Sequence, residues 1–117
     1  MKRVLIVDDA AFMRMSIRKM LEENGFEIVG EAENGLMAIE KYQELQPEVV
    51  TMDITMPEID GLEALRQIKK IDPAASIVMV SALGQEARMK EAIIYGAKGF
   101  IVKPFKEEII VSALAKL

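Results

Sequence analysis

The feature that most limits what this chain can fold into is a fivefold alternation of short β-branched runs with segments of helical period. The runs are Val4-Leu5-Ile6-Val7, Ile28-Val29, Val49-Val50-Thr51-Met52, Ile77-Val78-Met79-Val80 and Phe100-Ile101-Val102. Several are apolar without in-out alternation, the pattern of parallel strands covered on both faces. In the first helical segment Met13, Ile17, Met20 and Leu21 share a face, with Arg14, Arg18 and Glu22 outside and Gly25 as a stop. The second places Ala38, Ile39, Tyr42 and Leu45 in a stripe after Asn34-Gly35 and ends before Pro47. The third uses Ala64, Leu65 and Ile68, starts at Asp60-Gly61 and ends at Asp72-Pro73. The fourth runs from Gln85 to Tyr95 and stops at Gly96; the fifth follows Pro104 with Ile110, Ala113, Leu114 and Leu117 inward. Strands alternating with helices of this length predict an α/β doubly wound (βα)5 sandwich with right-handed crossovers around a five-stranded parallel sheet.

A length of 117 residues suits one core, so a single domain over 1–117 is expected. Charged residues interrupt every apolar stretch well before membrane-spanning length. Met1-Lys2-Arg3 runs straight into a strand without a signal-peptide apolar region, and the cytoplasm is the expected location. The chain has no Cys and no His, which excludes disulfides, thiolate or imidazole zinc sites, a Ser-His triad and a phosphohistidine on this chain. A net charge of −4 makes it a poor non-specific binder of nucleic acid. Several of the nine Met residues fall on these apolar segments and read as core filling.

Parallel strands bring their carboxyl ends to one edge, where open α/β sheets bind ligands. That edge collects Asp8 and Asp9 after the first strand, Asp53 after the third, Ser81 after the fourth and Lys103 after the fifth. Pro57 and Asp60-Gly61 then turn the chain away from Asp53. Carboxylates about 5 Å apart repel by roughly 3 kcal/mol per pair at an effective dielectric near 20, so a cation belongs among them. Lys103 supplies one positive charge, and with only hard oxygen ligands the expected ion is Mg²⁺, with Mn²⁺ as a substitute. Acids, a metal, a Lys and a Ser hydroxyl are the equipment of phosphoryl transfer.

Asp8-Asp9, Asp53 within Met-Asp-Ile-Thr-Met-Pro-Glu-Ile-Asp-Gly, Ser81-Ala82 and Lys103-Pro104-Phe105 together resemble the response-regulator receiver family, in order and over the whole chain. Val-Asp-Asp-Ala-Ala-Phe-Met-Arg and Thr-Met-Asp-Ile-Thr-Met-Pro are most similar to its stand-alone chemotaxis members. The resemblance implies a flavodoxin-like strand order of 2-1-3-4-5. It makes Asp53 the phospho-acceptor from a sensor histidine kinase, and Asp9 and Asp53 direct metal ligands. The backbone carbonyl of Thr55 is then a further ligand, and Asp8 acts mainly through water. Lys103 is implied to bind a phosphoryl oxygen, with a cis peptide bond before Pro104. Ser81 is implied to donate its hydroxyl to the phosphoryl group, and Phe100 to be the switch aromatic that turns inward when that hydroxyl moves. Phe100 lacks the phenolic oxygen of a Tyr, and Leu83 offers no polar group beside the site. The implied product is a signalling switch, not a turnover enzyme. The face formed by the fourth helix, fifth strand and fifth helix would be read by an output protein such as the flagellar motor switch, with a phosphatase as a further partner.

Plainer readings stand beside these. Asp53 alone would serve as a strand-end turn residue, and Asp8 as a cap for a helix starting near Ala10. Ser81 could be an ordinary loop residue, Lys103 a solvated charge and Phe100 simple core. Ile93-Ile94-Tyr95 carry more apolar surface than one buried stripe requires, either a wide core stripe or an exposed partner face. Among whole-chain alternatives are a receiver fragment of a larger DNA-binding regulator and an aspartyl phosphatase, which Thr55 argues against because such enzymes carry a second Asp there. A nucleotide- or flavin-binding protein would need a Gly-rich phosphate loop where Asp8-Asp9 stand.

Overall fold

The computed structural model describes residues 2–117. Five strands and five helices alternate without exception: β1 (Arg3–Val7), α1 (Ala11–Glu22), β2 (Glu27–Ala32), α2 (Gly35–Leu45), β3 (Val49–Asp53), α3 (Gly61–Ile71), β4 (Ile77–Ser81), α4 (Glu86–Ile94), β5 (Gly99–Val102) and α5 (Glu107–Ala115). All strand pairs are parallel, in the order β2-β1-β3-β4-β5. The expected strand β2 at Ile28-Val29 is longer than its apolar pair. It extends through Gly30, Glu31 and Ala32 because it is an edge strand with one open side, where a polar residue is tolerated.

The two helical layers cover separate cores. On one face Leu5, Val50, Met52, Leu65, Ile68, Ile77 and Met79 pack with Ala38, Tyr42 and Ala92. On the other, Val4, Ile6, Ile17, Leu21, Ile101, Ile110 and Leu114 pack together. Central strands β3 and β4 are buried along their whole length, as their unalternating sequences predict.

Helix boundaries follow from local chemistry. Asn34 caps α2 by accepting from Met37 N–H at 2.8 Å, and Asp60 caps α3 by accepting from Glu63 N–H at 3.0 Å. Helix α4 ends against Gly96, whose φ of +103° suits glycine. Gln85 and Tyr95 flank α4 as caps and lie outside its helical span. The expected inward residues of α5 hold: Ile110 and Leu114 are fully buried, with Ala113 and Leu117 packed partly against them. One assignment on α1 differs from expectation. Arg14 is turned inward, its guanidinium donating to Glu31 at 3.0 Å and to the Asp8 carbonyl at 2.7 Å. Glu31 is brought there by β2, 17 positions on, and the Asp8 carbonyl by the turn just ahead of α1, so helical periodicity alone could not reveal them.

Candidate metal and acceptor site

Register fixes the site. Val7 pairs with Met52, Asp53 with Val80 and Ser81 with Val102. One further residue along β1 is Asp8, and one along β5 is Lys103, so the ends of β1, β3, β4 and β5 converge on one edge. Lys103 N–H donates to the Ser81 carbonyl at 2.7 Å, locking that last step.

Helix α3 must leave this edge steeply. The Gly61 N–H donates to the Ile54 carbonyl at 2.7 Å. A Cβ at Gly61 would overlap the backbone carbonyl oxygen of Asp53, so only glycine permits so close an approach.

Carboxylate oxygens of Asp8, Asp9 and Asp53 lie within 4.8 Å of one another. Asp8 and Asp53 are buried and Asp9 is exposed. Lys103 Nζ sits 3.0 Å from Asp8 Oδ2 and 3.6 Å from Asp53 Oδ1. The lysine therefore binds Asp8 first and reaches Asp53 second. Asp8 also accepts the Ala10 N–H at 2.9 Å, while Ala10 is the N-cap residue of α1. Asp8 thus steadies the chain just ahead of the helix and is not itself its cap.

Burial, and next the charge of Asp8, push the Asp53 carboxyl up to about 6, with Lys103 pulling the other way and Asp9 adding to the push. Three acids with one lysine leave an excess of negative charge. An all-oxygen donor set with an exposed side fits a hard divalent cation that keeps part of its water shell.

Ser81 is fully buried and its hydroxyl makes no hydrogen bond. Thr51 shares that property in the interior of β3; Ser81 differs in standing at the strand end beside Asp53 and Lys103. The Lys103–Pro104 bond is cis, as the family resemblance implies. Phe100 is 39% exposed and so faces outward. Leu83 is exposed as well.

Sequence reading missed two residues near the site. Gln85 accepts the Ala82 N–H at 2.9 Å and donates to Thr55 Oγ1 at 2.8 Å. Arg88, one turn further on, reaches Asp60 at 2.6 Å. The Gln85–Thr55 and Arg88–Asp60 contacts span 30 and 28 positions, so no residue-type pattern predicts them. On α4 and its neighbours, Ile93, Ile94 and Ile109 are exposed, and Ala92 alone is fully buried on α4. Ile93 and Ile94 are thus exposed and not part of a wide core stripe. Tyr95 goes the other way, packing partly against the core under the Arg66 guanidinium at 5.3 Å. Among the described residues no helix is long and apolar enough to cross a membrane.

Residues 4–115 match the model of the response regulator receiver domain. The chain is 58% identical over 116 residues to the chemotaxis protein CheY of Thermotoga maritima, covering 99% of this chain and 97% of that one. It is 59% identical over 114 residues to CheY of Bacillus subtilis, covering 97% and 95% respectively. Among solved structures, the crystal structure of the CheX-CheY-BeF3-Mg²⁺ complex from Borrelia burgdorferi matches with a TM-score of 0.94 at 38% identity, covering 98% of this chain and 87% of that one.

Proposed function

The chain belongs to the response regulator receiver family, and on that premise we infer that it is a chemotaxis phosphorylation switch whose acceptor is Asp53. The observation that carries the reading is the packing of three carboxylates within 4.8 Å, beside a lysine 3.6 Å from Asp53 and a buried hydroxyl without a partner.

The chemistry follows from what each residue can do. An Asp53 carboxylate oxygen attacks the phosphorus of a kinase phosphohistidine in line. The phosphorus–nitrogen bond breaks, and the leaving imidazole retains the electron pair and takes up a proton. Asp9 and Asp53 would hold Mg²⁺, or Mn²⁺ in its place, with the Thr55 carbonyl, and Asp8 would act through water. When bound, the ion neutralises charge on the transferring group. Lys103 is 3.0 Å from Asp8, so on phosphorylation it exchanges part of that pairing for a phosphoryl oxygen.

The Ser81 hydroxyl is the free donor at the end of β4 and turns to the new dianion. That movement vacates space beneath Phe100, which now faces outward, and shifts an existing equilibrium of α4, β5 and α5. Ile93, Ile94 and Ile109 give that face the apolar surface an output protein requires, which in this reading is the flagellar motor switch. The kinase partner is of the chemotaxis type, a phosphatase resets the signal, and the whole cycle runs in the cytoplasm. A switch, not a turnover enzyme, fits Thr55, which gives the position two beyond Asp53 no acid to protonate a leaving group.

The test is direct. With Mg²⁺ and a small-molecule phosphodonor, the wild type gains one phosphoryl group that maps to Asp53. Asp53→Asn gains none. Labelling of the variant at the wild-type rate would refute the assignment.

A further inference from the structure

Gln85 stands just before α4 with a backbone of φ −108° and ψ 32°, and its side chain does not cap its own helix. It spans two loops instead. Its Oε1 accepts the Ala82 N–H at 2.9 Å while its Nε2 donates to Thr55 Oγ1 at 2.8 Å. Ala82 follows Ser81 directly, so the two donors at the end of β4 are unequal: the Ser81 hydroxyl is uncommitted and the Ala82 amide is taken.

We propose that Gln85 is a latch that holds the β4–α4 loop in its open position, so that the loop carrying Ser81 can close on a phosphoryl group at Asp53 only when the Gln85–Ala82 bond breaks. The proposal rests on Asp53 being the acceptor. Closure that carries Ser81 toward Asp53 displaces Ala82 as well, because the two share a peptide bond. Gln85 is not free to follow. Its amide nitrogen is anchored on Thr55, in the β3–α3 loop, and Arg88 on the same side of α4 is tied to Asp60 of that loop at 2.6 Å. A neutral amide oxygen is a weaker acceptor than a phosphoryl dianion, so the latch yields once the acceptor is charged and resists before then. Gln85 thereby acts as a positioning residue: it touches neither the acceptor nor the phosphoryl group and works through Ala82.

One net hydrogen bond of typical strength corresponds to about fivefold in an equilibrium constant. The experiment uses the full chain and beryllofluoride with Mg²⁺ as a phosphoryl mimic, with binding followed by calorimetry and by the exchange rate of the Ala82 amide. Gln85→Met keeps the side-chain bulk but has no amide. It is expected to bind the mimic about fivefold more tightly than the wild type. Before the mimic is added, its Ala82 amide should exchange faster. Gln85→Glu keeps a stronger, charged acceptor for Ala82 and is expected to bind more weakly than the wild type. The latch is overturned if Gln85→Met binds no more tightly than the wild type, or if Gln85→Glu binds as tightly as Gln85→Met. Wild-type binding equal to that of Asp53→Asn would instead overturn the acceptor assignment and the latch with it.

Discussion

Replacing Asp53 with Asn tests the electrostatics of the site without any kinase. Asp53 is 6% exposed, and burial with the nearby Asp8 lifts its carboxyl from 3.8 to about 6. Because the folded-state value lies above the unfolded one, the folded protein binds this proton more tightly. Stability from this group is therefore fullest below the unfolded value and is lost as pH rises through the folded one. Ionising Asp53 in the metal-free protein costs roughly 3 kcal/mol at 1.36 kcal/mol per pKa unit. Asn keeps the shape but carries no charge, and its own buried amide recovers only part of this. Asp53→Asn should thus be more stable than the metal-free wild type at pH 8 by about 2 kcal/mol, or roughly 8 °C in Tm for a domain of this size. The gap should shrink as pH falls from 7 toward 5. Saturating Mg²⁺ should close it from the other side, because ligand binding to the native state stabilises the wild type and leaves the variant largely unmoved. Urea unfolding at several pH values, with and without Mg²⁺, measures all three effects. A metal-free variant less stable than the wild type at pH 8, or a gap that ignores pH, would refute the reasoning.

Removing the cation is expected to do the opposite. Lys103→Met leaves Asp8, 1% exposed, without its 3.0 Å partner and should destabilise the metal-free protein by about 3 kcal/mol, with most of the loss restored in the Asp8→Asn/Lys103→Met double variant. A double variant no more stable than Lys103→Met would show that the pair is not what holds Asp8. Gly61→Ala forces a Cβ into the Asp53 carbonyl and should cost about 2 kcal/mol or more in chemical denaturation while weakening Mg²⁺ binding, since it displaces the Asp53 backbone. Ile94→Lys changes a side chain that is 79% exposed, so stability should move by less than about 0.5 kcal/mol. Capture of the phosphorylated chain by a motor-switch protein should fall at least tenfold in the same variant, and unchanged capture would remove α4 from the output face.

The fold was legible because parallel strands buried on both faces cannot alternate, and the runs at 49–52 and 77–80 do not. Punctuation was legible for a related reason: Asn34, Asp60 and Gly96 act on backbone groups within a few positions of themselves, so their effect is local. The same holds for Asp8, Asp53, Ser81 and Lys103, since a parallel topology carries any strand's last residue to the same edge. Length of β2 was less visible, because an edge strand can continue through Glu31 where a central one could not.

By itself, then, the sequence determined which chemistry could gather: residue types at strand ends, with no His or Cys to support any other site. Only the tertiary structure decided which partner each group takes. Lys103 pairs first with Asp8, Arg14 turns inward to Glu31, Ile94 faces solvent, and Gln85 joins two loops. Those choices depend on distances between segments far apart in the chain. Side-chain periodicity encodes which face a residue occupies, but it carries no information about what waits across the gap.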